Sequence, residues 1–491
     1  MLILYNPQST VSRKPVLPMS LLAVGALLEG DYDYTIIDGN LDPDPVRSID
    51  RAVRETGADI LAVTVMPGPQ ISHAVPQCRT IKEMHPDLTI VWGGYFPTQH
   101  YDSCLRADYV DYVVRGHGEV VFKSLLDALR DGEDPTTIPG LAYRHPATGE
   151  ITTNNMAPIP HPDRMPHFPY HRIDVPRYIR PTFMGQRTLP HHSSYGCPFK
   201  CNFCAVVNMV GGRWLTESAE RTAGIAREFV EKWGVDAVEF YDNNFFTHER
   251  RTAEFSERIM DLGIHWWGEG RIDTLIGYSD RSWELMRDSG LKMVFLGAES
   301  GSDETLKLMN KGGKASTEKT IEIARKMKHY GIVPEFSFVL GNPPDPEADT
   351  HQTIEFIRKV KRINPAIEVI LYTYTPVPLA GELYEQAKAS GFQFPETLDE
   401  WIDPDWQELL QRRAAHIPWM KDPLRKEIQN FERVLNAYYP TSTDPKLRGA
   451  MRWVLKAASA WRYHFRMYDH PLELRALHKV LAYQRPETSG F

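Results

Sequence analysis

Ser194-Tyr-Gly-Cys197-Pro-Phe-Lys-Cys201-Asn-Phe-Cys204 places three of the chain's five cysteines within eight positions, spaced C-x3-C-x2-C. The run just before it, near 187–194, has the β-rich character of a first strand in a new β/α series. Three thiolates in one loop fall one short of the four ligands of structural zinc or of an ordinary electron-transfer cluster. A histidine such as His191 or His192 would complete a zinc knuckle; otherwise one ligand position is left open. Cys78 and Cys104 lie far upstream, where burial as small hydrophobes is the expected role.

Downstream of the triad, strands are expected near 236–241, 264–268, 292–297, 333–340 and 366–372, with helical stretches between them. Six β/α units are too few for an eight-stranded barrel, so a partial barrel is expected over 187–390. Upstream, residues 136–186 are rich in Pro and His, and read as an ordered linker with a small strand or two. Residues 1–135 alternate strands near 2–5, 33–38, 59–65, 88–92 and 110–114 with helices. The continuous apolar run Ile60-Leu-Ala-Val-Thr-Val65 fits a parallel sheet covered on both faces, hence a doubly wound, Rossmann-like α/β domain. Ligands of such sheets sit at the carboxyl ends of the strands, in the loops Asn6–Pro18, Met66–Gln70, Gly93–Thr98 and Arg115–Glu119. Residues 391–491 read as helices rich in aromatics, among them Trp401, Trp406, Trp419, Trp453 and Trp461. These aromatics either wall a substrate pocket or pack the helices together.

A chain of 491 residues needs more than one core. With 42% hydrophobic and 24% charged residues it has a globular composition, and no apolar run reaches the roughly 18–20 residues of a membrane span. Residues 1–5 read as a strand and not a signal peptide, so a cytoplasmic location is expected. The net charge of -8 suits a phosphate backbone poorly. A small-molecule or peptide substrate is expected, and no nucleic acid.

The cysteine segment, with Phe203 just before the last thiol, resembles the signature of the radical S-adenosylmethionine (SAM) superfamily. The resemblance implies a [4Fe–4S] cluster on Cys197, Cys201 and Cys204, whose fourth iron is chelated by SAM. An electron from a donor such as flavodoxin or ferredoxin then yields a 5′-deoxyadenosyl radical, chemistry that belongs to the cofactor while the protein orients it. Phe240-Tyr-Asp242-Asn-Asn-Phe245 is similar to a family segment that would bring Asp242 to the ribose or substrate. Gly297-Ala-Glu299-Ser300-Gly301 resembles the loop that contacts SAM, which implies Glu299 and Ser300 as contacts. Arg271 is a candidate partner for the SAM carboxylate, or else a member of a surface ion pair. Leu340, in Leu340-Gly-Asn-Pro343, lines the adenine pocket or simply ends a strand. Residues 370–381 resemble the family's ending of the last strand but depart from it at Leu379-Ala380.

The first domain resembles the cobalamin-binding class of that superfamily, through Val91-Trp-Gly93-Gly94-Tyr-Phe-Pro97 and Val113-Val-Arg-Gly-His117-Gly118-Glu119. The implied cobalamin contacts are Met66, Gly93, Gly94, His117 and Gly118. The Asp-x-His-x-x-Gly segment that supplies a lower histidine to cobalt in mutases is absent, and His117 stands where relatives more often carry Glu. The resemblance implies methyl transfer to an unreactive carbon or phosphorus. The alternatives are a radical cyclase, dehydratase or rearrangement enzyme, and a non-catalytic iron–sulfur protein that binds SAM. No general acid or base is identified from the sequence.

Overall fold

Leu2-Ile-Leu-Tyr-Asn6 is buried along its whole length and forms β1 of a seven-stranded sheet in the computed structural model. The structure describes residues 1–10, 15–311, 313–378, 381–410, 417–441, 447 and 449–480. β2 (Tyr34–Asp38), β3 (Ile60–Thr64), β4 (Thr89–Gly93) and β5 (Tyr112–Val114) join β1 in the order β2-β1-β3-β4-β5, all parallel. Alternate residues face opposite layers: Ile3, Tyr5, Leu61, Val63, Ile90 and Trp92 pack with Ile71, Val75 and Cys78. Leu2, Leu4, Ile60, Ala62 and Val91 pack with Leu21, Leu28, Phe122 and Leu125. Both faces are covered by helices, which is why the strands read as unbroken apolar runs. The strand order reverses between β1 and β3, so a crevice opens at their carboxyl ends, beside Asn6 and Met66. Two strands from the proline-rich segment, β6 (Leu141–Arg144) and β7 (Ile151–Thr153), extend the sheet in antiparallel fashion past β5.

The second sheet is a partial barrel. β8 (Thr188–His191) leaves it early, and the chain then builds a separate antiparallel ribbon from β9 (Ser194–Gly196) and β10 (Trp214–Thr216). The single strand expected over 187–194 is therefore two. The break falls at Ser193, whose backbone N–H and hydroxyl both donate to Asp242 and turn the chain out of the sheet. β11 (Ala237–Phe240), β12 (His265–Gly270), β13 (Leu291–Glu299), β14 (Val333–Leu340) and β15 (Glu368–Thr373) complete six parallel strands in chain order. Local signals place the intervening helices. Ser218 caps Ala219–Trp233, which stops at left-handed Gly234, and Ser316 caps Thr317–Tyr330, which stops at Gly331.

Inside the barrel, Met184, Ala237, Trp267 and Met293 close the end where the strands begin. Above them Glu239 accepts hydrogen bonds from Arg180 (2.6 Å) and Tyr241 (2.8 Å), and Glu335 accepts one from the Trp267 indole at 3.1 Å. Burial pushes the Glu269 and Glu335 carboxyls up to about 8. The C-terminal helices do not stand apart. Leu398 and Trp401 enter the core of the first domain, Phe431, Val434, Tyr463 and Tyr468 the outer core of the barrel, and Met420, Leu424 and Ile428 the cluster around Leu340 and Tyr374. Trp453 and Trp461, by contrast, are exposed. Among the described residues no helix is long and apolar enough to cross a membrane. Leu379 and Ala380 lie outside the described residues.

Candidate active site at the seam of the two sheets

β9 ends at Gly196, and the cysteine loop begins. The Cys204 N–H donates to the Cys201 carbonyl at 3.2 Å, folding the last two thiols onto one turn. Asn202, between them, anchors the loop: its N–H reaches the Met309 carbonyl and its amide the Leu308 carbonyl, both at 3.0 Å. Phe203 packs against the cluster that holds Met309, Leu340 and Tyr374. Burial pushes the Cys204 thiol up to about 12, helped by the charges of Cys201 and Cys197. The Cys201 thiol is also raised by burial, against the pull of the Arg271 and Lys311 cations.

Buried together, these thiols would ionise only beside a cation, which a metal that takes them as thiolates would supply. Among the described residues no three His, Cys, Asp or Glu side chains converge on a point fit for a single ion. A [4Fe–4S] cluster would be held by Cys197, Cys201 and Cys204 without the three thiols meeting at one point. Of the two histidines offered for a zinc knuckle, His191 is taken: its Nε2 is 2.9 Å from Glu217 Oε2 in a buried pair. Buried polar atoms left without a protein partner gather around this loop, namely Ser194 Oγ, Asn244 Oδ1 and His192 Nε2. Such atoms fit a site that expects a polar ligand. The Asn244 amide, for its part, lies 3.9 Å from Cys197 Sγ.

The expected SAM contacts meet different fates. Glu299 ends β13 with a positive φ of 64°, and its carboxylate takes a 2.5 Å contact from Lys311, which also donates to the Gly297 carbonyl. Both side chains are buried. Lys311 escaped the sequence reading because Met309-Asn-Lys311 carries no strand or motif; only the fold, through Asn202, brings it beside Cys201. Ser300 donates to Asp349 at 2.9 Å, and Asn342 donates to the other oxygen of the same carboxylate at 2.9 Å. Asp349, at the start of the helix Pro346–Ile363, thus ties the loops after β13 and β14 together. Leu340 is fully buried beneath Met420, and the Trp419 indole donates to the neighbouring Gly341 carbonyl at 2.9 Å.

Two of the expected contacts are engaged within the protein. Asp242 is fully buried and each of its oxygens accepts from Ser193, which shapes the entry to the cysteine loop. Arg271 is not in a surface pair, and its fork is not open to a carboxylate of SAM: Nε and Nη2 grip Asp273 at 3.0 and 2.8 Å in a buried ion pair.

At the first sheet, Met66 is 41% exposed at the end of β3. Its N–H donates to Gln70, which in turn donates to Asn6; Asn6 donates to Asp38. Gly94 has φ of 100°, and a Cβ there would meet Val65 backbone at 3.2 Å. Gly116 has φ of 78°, where a Cβ would lie 2.7 Å from Met156 Cε. Gly93 carries no such constraint, and Gly118 opens the helix Gly118–Asp131. His117 stacks on Tyr195 with ring centroids 4.3 Å apart, and burial lowers its pKa. Tyr195 precedes Cys197 by two residues, so the loop after β5 touches the cysteine strand directly. Asn208 donates to Gln99 at 2.6 Å, and Gln99 to the Ala205 carbonyl at 3.2 Å, a second tie between the sheets. The carboxyl edges of both sheets therefore meet at one seam.

Comparison with known proteins agrees with this division. Residues 192–357 match the model of the radical SAM superfamily, and residues 10–126 that of the B12 binding domain. An uncharacterized methyltransferase of Pyrococcus horikoshii is 27% identical over 353 residues, covering 70% of this chain and 73% of the relative. An anaerobic magnesium-protoporphyrin IX monomethyl ester cyclase of Rubrivivax gelatinosus is 26% identical over 462 residues, covering 91% and 79%. The fold is shared with the radical SAM methyltransferase TsrM from Kitasatospora setae, at TM-score 0.63 and 16% identity over 79% of this chain and 75% of that one. It is shared also with the cobalamin-dependent SAM radical enzyme OxsB, at TM-score 0.64 and 16% identity over 98% and 70%. Cysteine loop, six-stranded partial barrel and preceding doubly wound sheet thus agree with both matched models: the chain carries a radical SAM domain preceded by a B12 binding domain.

Proposed function

We propose that this protein is a cobalamin-dependent radical SAM methyltransferase that places a methyl group on an unreactive carbon or phosphorus of a small molecule or peptide. The observation that carries the reading is the seam: the His117–Tyr195 stack joins the cobalamin-type edge to the strand leading into the cysteines. Methyl transfer by way of a corrinoid needs both cofactors to share one cavity. The cofactors are a [4Fe–4S] cluster, SAM and cobalamin. When bound, the cluster with SAM supplies a hydrogen-abstracting radical and the corrinoid supplies a methyl carrier.

In this reading Cys197, Cys201 and Cys204 hold the cluster, with Phe203 and Leu340 packing its loop from behind. Glu299, set by Lys311, and Ser300, set by Asp349, present the SAM-facing loop after β13. Met66, Gly93, Gly94, His117 and Gly118 form the floor for the corrinoid, with Gly94 and Gly116 allowing close backbone approach. An external flavodoxin- or ferredoxin-type donor delivers the electron, in the cytoplasm. Anaerobic reconstitution with iron, sulfide and hydroxocobalamin, followed by desalting, tests the reading. Near-stoichiometric corrinoid beside an intact cluster is expected, and an intact cluster without corrinoid would contradict it. Similarity to the Rubrivivax cyclase over 91% of the chain keeps a radical cyclisation as the second reading. A product in which a methyl group has replaced one substrate hydrogen separates the two.

A further inference from the structure

Arg271 is fixed on several sides. Nε donates to Asp273 Oδ1 at 3.0 Å, and Nη2 donates both to Asp273 Oδ2 and to the Lys311 carbonyl at 2.8 Å. Its guanidinium carbon lies 3.7 Å from the centroid of the Phe199 ring, a close cation–π contact. The side chains of Arg271 and Asp273 are only 7% and 5% exposed. With Nε and Nη2 engaged in the plane and an aromatic ring over one face, the remaining nitrogen has little freedom. That nitrogen, Nη1, donates to Cys201 Sγ at 3.4 Å.

We propose, resting on the cluster assignment above, that Arg271 is a positioning residue that tunes the iron–sulfur cluster through Cys201 and is not the partner of the SAM carboxylate. Asp273 offsets part of the guanidinium charge, and both the remaining charge and the directed Nη1–H act on the sulfur. One-electron reduction by the external donor adds negative charge that is shared with the ligand sulfurs. A donor aimed at one of those sulfurs stabilises the reduced form more than the oxidised form, and so raises the reduction potential. Phe199 keeps water from one face of the guanidinium, and Asp273 prevents it from swinging toward an incoming carboxylate.

The test compares the full chain with Arg271→Lys and Arg271→Gln after anaerobic reconstitution. Iron content, the midpoint potential from a redox titration followed by electron paramagnetic resonance, and SAM affinity by equilibrium dialysis are read for each. Both variants are expected to load iron as the parent does and to bind SAM with little change, while the midpoint moves to more negative potential, further for Gln than for Lys. An unchanged midpoint together with a loss of SAM affinity of about tenfold or more, as for a broken charge-assisted contact, would overturn the proposal. If Arg271→Gln does not retain iron, Arg271→Lys decides on the same terms. Loss of iron from both variants with native circular dichroism would overturn tuning in favour of a structural role. A parent chain that takes up no cluster would instead refute the family-based site, a result no variant can imitate.

Discussion

At the carboxyl edge of the first sheet the chain offers an exposed methionine and glycines in left-handed conformations, whereas at the corresponding edge of the barrel it buries Lys311 against Glu299 and Arg271 against Asp273. The contrast follows from what each edge must hold. A broad corrinoid is gripped by shape, so the backbone must come close and side chains must stay out of the way. A charged cluster and a zwitterionic cofactor call for charges fixed in a site with little water, and the two buried pairs hold such charges beside Cys201. Failure of one edge should leave the other largely intact.

The largest effect is expected from Cys201→Ala, which should abolish the cluster while corrinoid retention survives. Iron content and corrinoid absorption measured on the same sample check this, and loss of both would break the proposed independence of the two edges. Next is Lys311→Met, which strands the Glu299 carboxylate in a buried site. Breaking a buried pair costs roughly 3–5 kcal/mol. Denaturant unfolding should show that loss, and Lys311→Met combined with Glu299→Gln should regain most of it. Gly94→Val forces an L residue into a conformation that costs about 1–3 kcal/mol. Corrinoid binding should weaken while iron content stays unchanged, as corrinoid titration would show.

The smallest expected effect concerns the barrel interior. Burial raises Glu335 from 4.5 to about 8, and Glu368, Glu269 and Glu239 add to it. A carboxyl raised by folding stabilises the native state below its unfolded pKa, and that stability is lost as pH rises from about 4.5 through about 8. Glu335→Gln keeps an acceptor for the Trp267 indole but cannot ionise. The neighbouring glutamates share the titration, which leaves the Glu335→Gln variant ahead of the parent by on the order of 1 kcal/mol above pH 8. Unfolding free energies at pH 5 and pH 9 check this: the variant should lose less stability than the parent between them.

Much of this architecture was legible in the residues. The apolar runs at Leu2–Tyr5 and Ile60–Val65 gave the first sheet, because a strand covered on both faces has no polar positions to interrupt it. The cysteine spacing picks out the candidate cluster loop, since ligands that are close in sequence can be read without the fold. Pairings between distant segments were hidden. Lys311 reaches Glu299 and the neighbourhood of Cys201 only because Asn202 anchors to Leu308 and Met309. The pairing of Arg271 with Asp273, two residues on, is not readable either, because a local sequence pattern does not show which partner wins a guanidinium. The break at Ser193 was invisible for the same reason, since Asp242 lies 49 residues away. The aromatics of the C-terminal region divided, with Trp401 and Tyr463 in the core and Trp453 exposed, as the tertiary contacts of each helix dictate.

The central claim, that SAM and a corrinoid work across one seam in methyl transfer, is tested most directly by counting what becomes of SAM. The reconstituted protein, with and without bound corrinoid, is incubated with SAM and a low-potential reductant, and S-adenosylhomocysteine and 5′-deoxyadenosine are quantified together. The account predicts about one S-adenosylhomocysteine for each bound corrinoid and none without it. 5′-Deoxyadenosine formed without any S-adenosylhomocysteine, in protein that retains both its cluster and its corrinoid, would contradict methyl transfer.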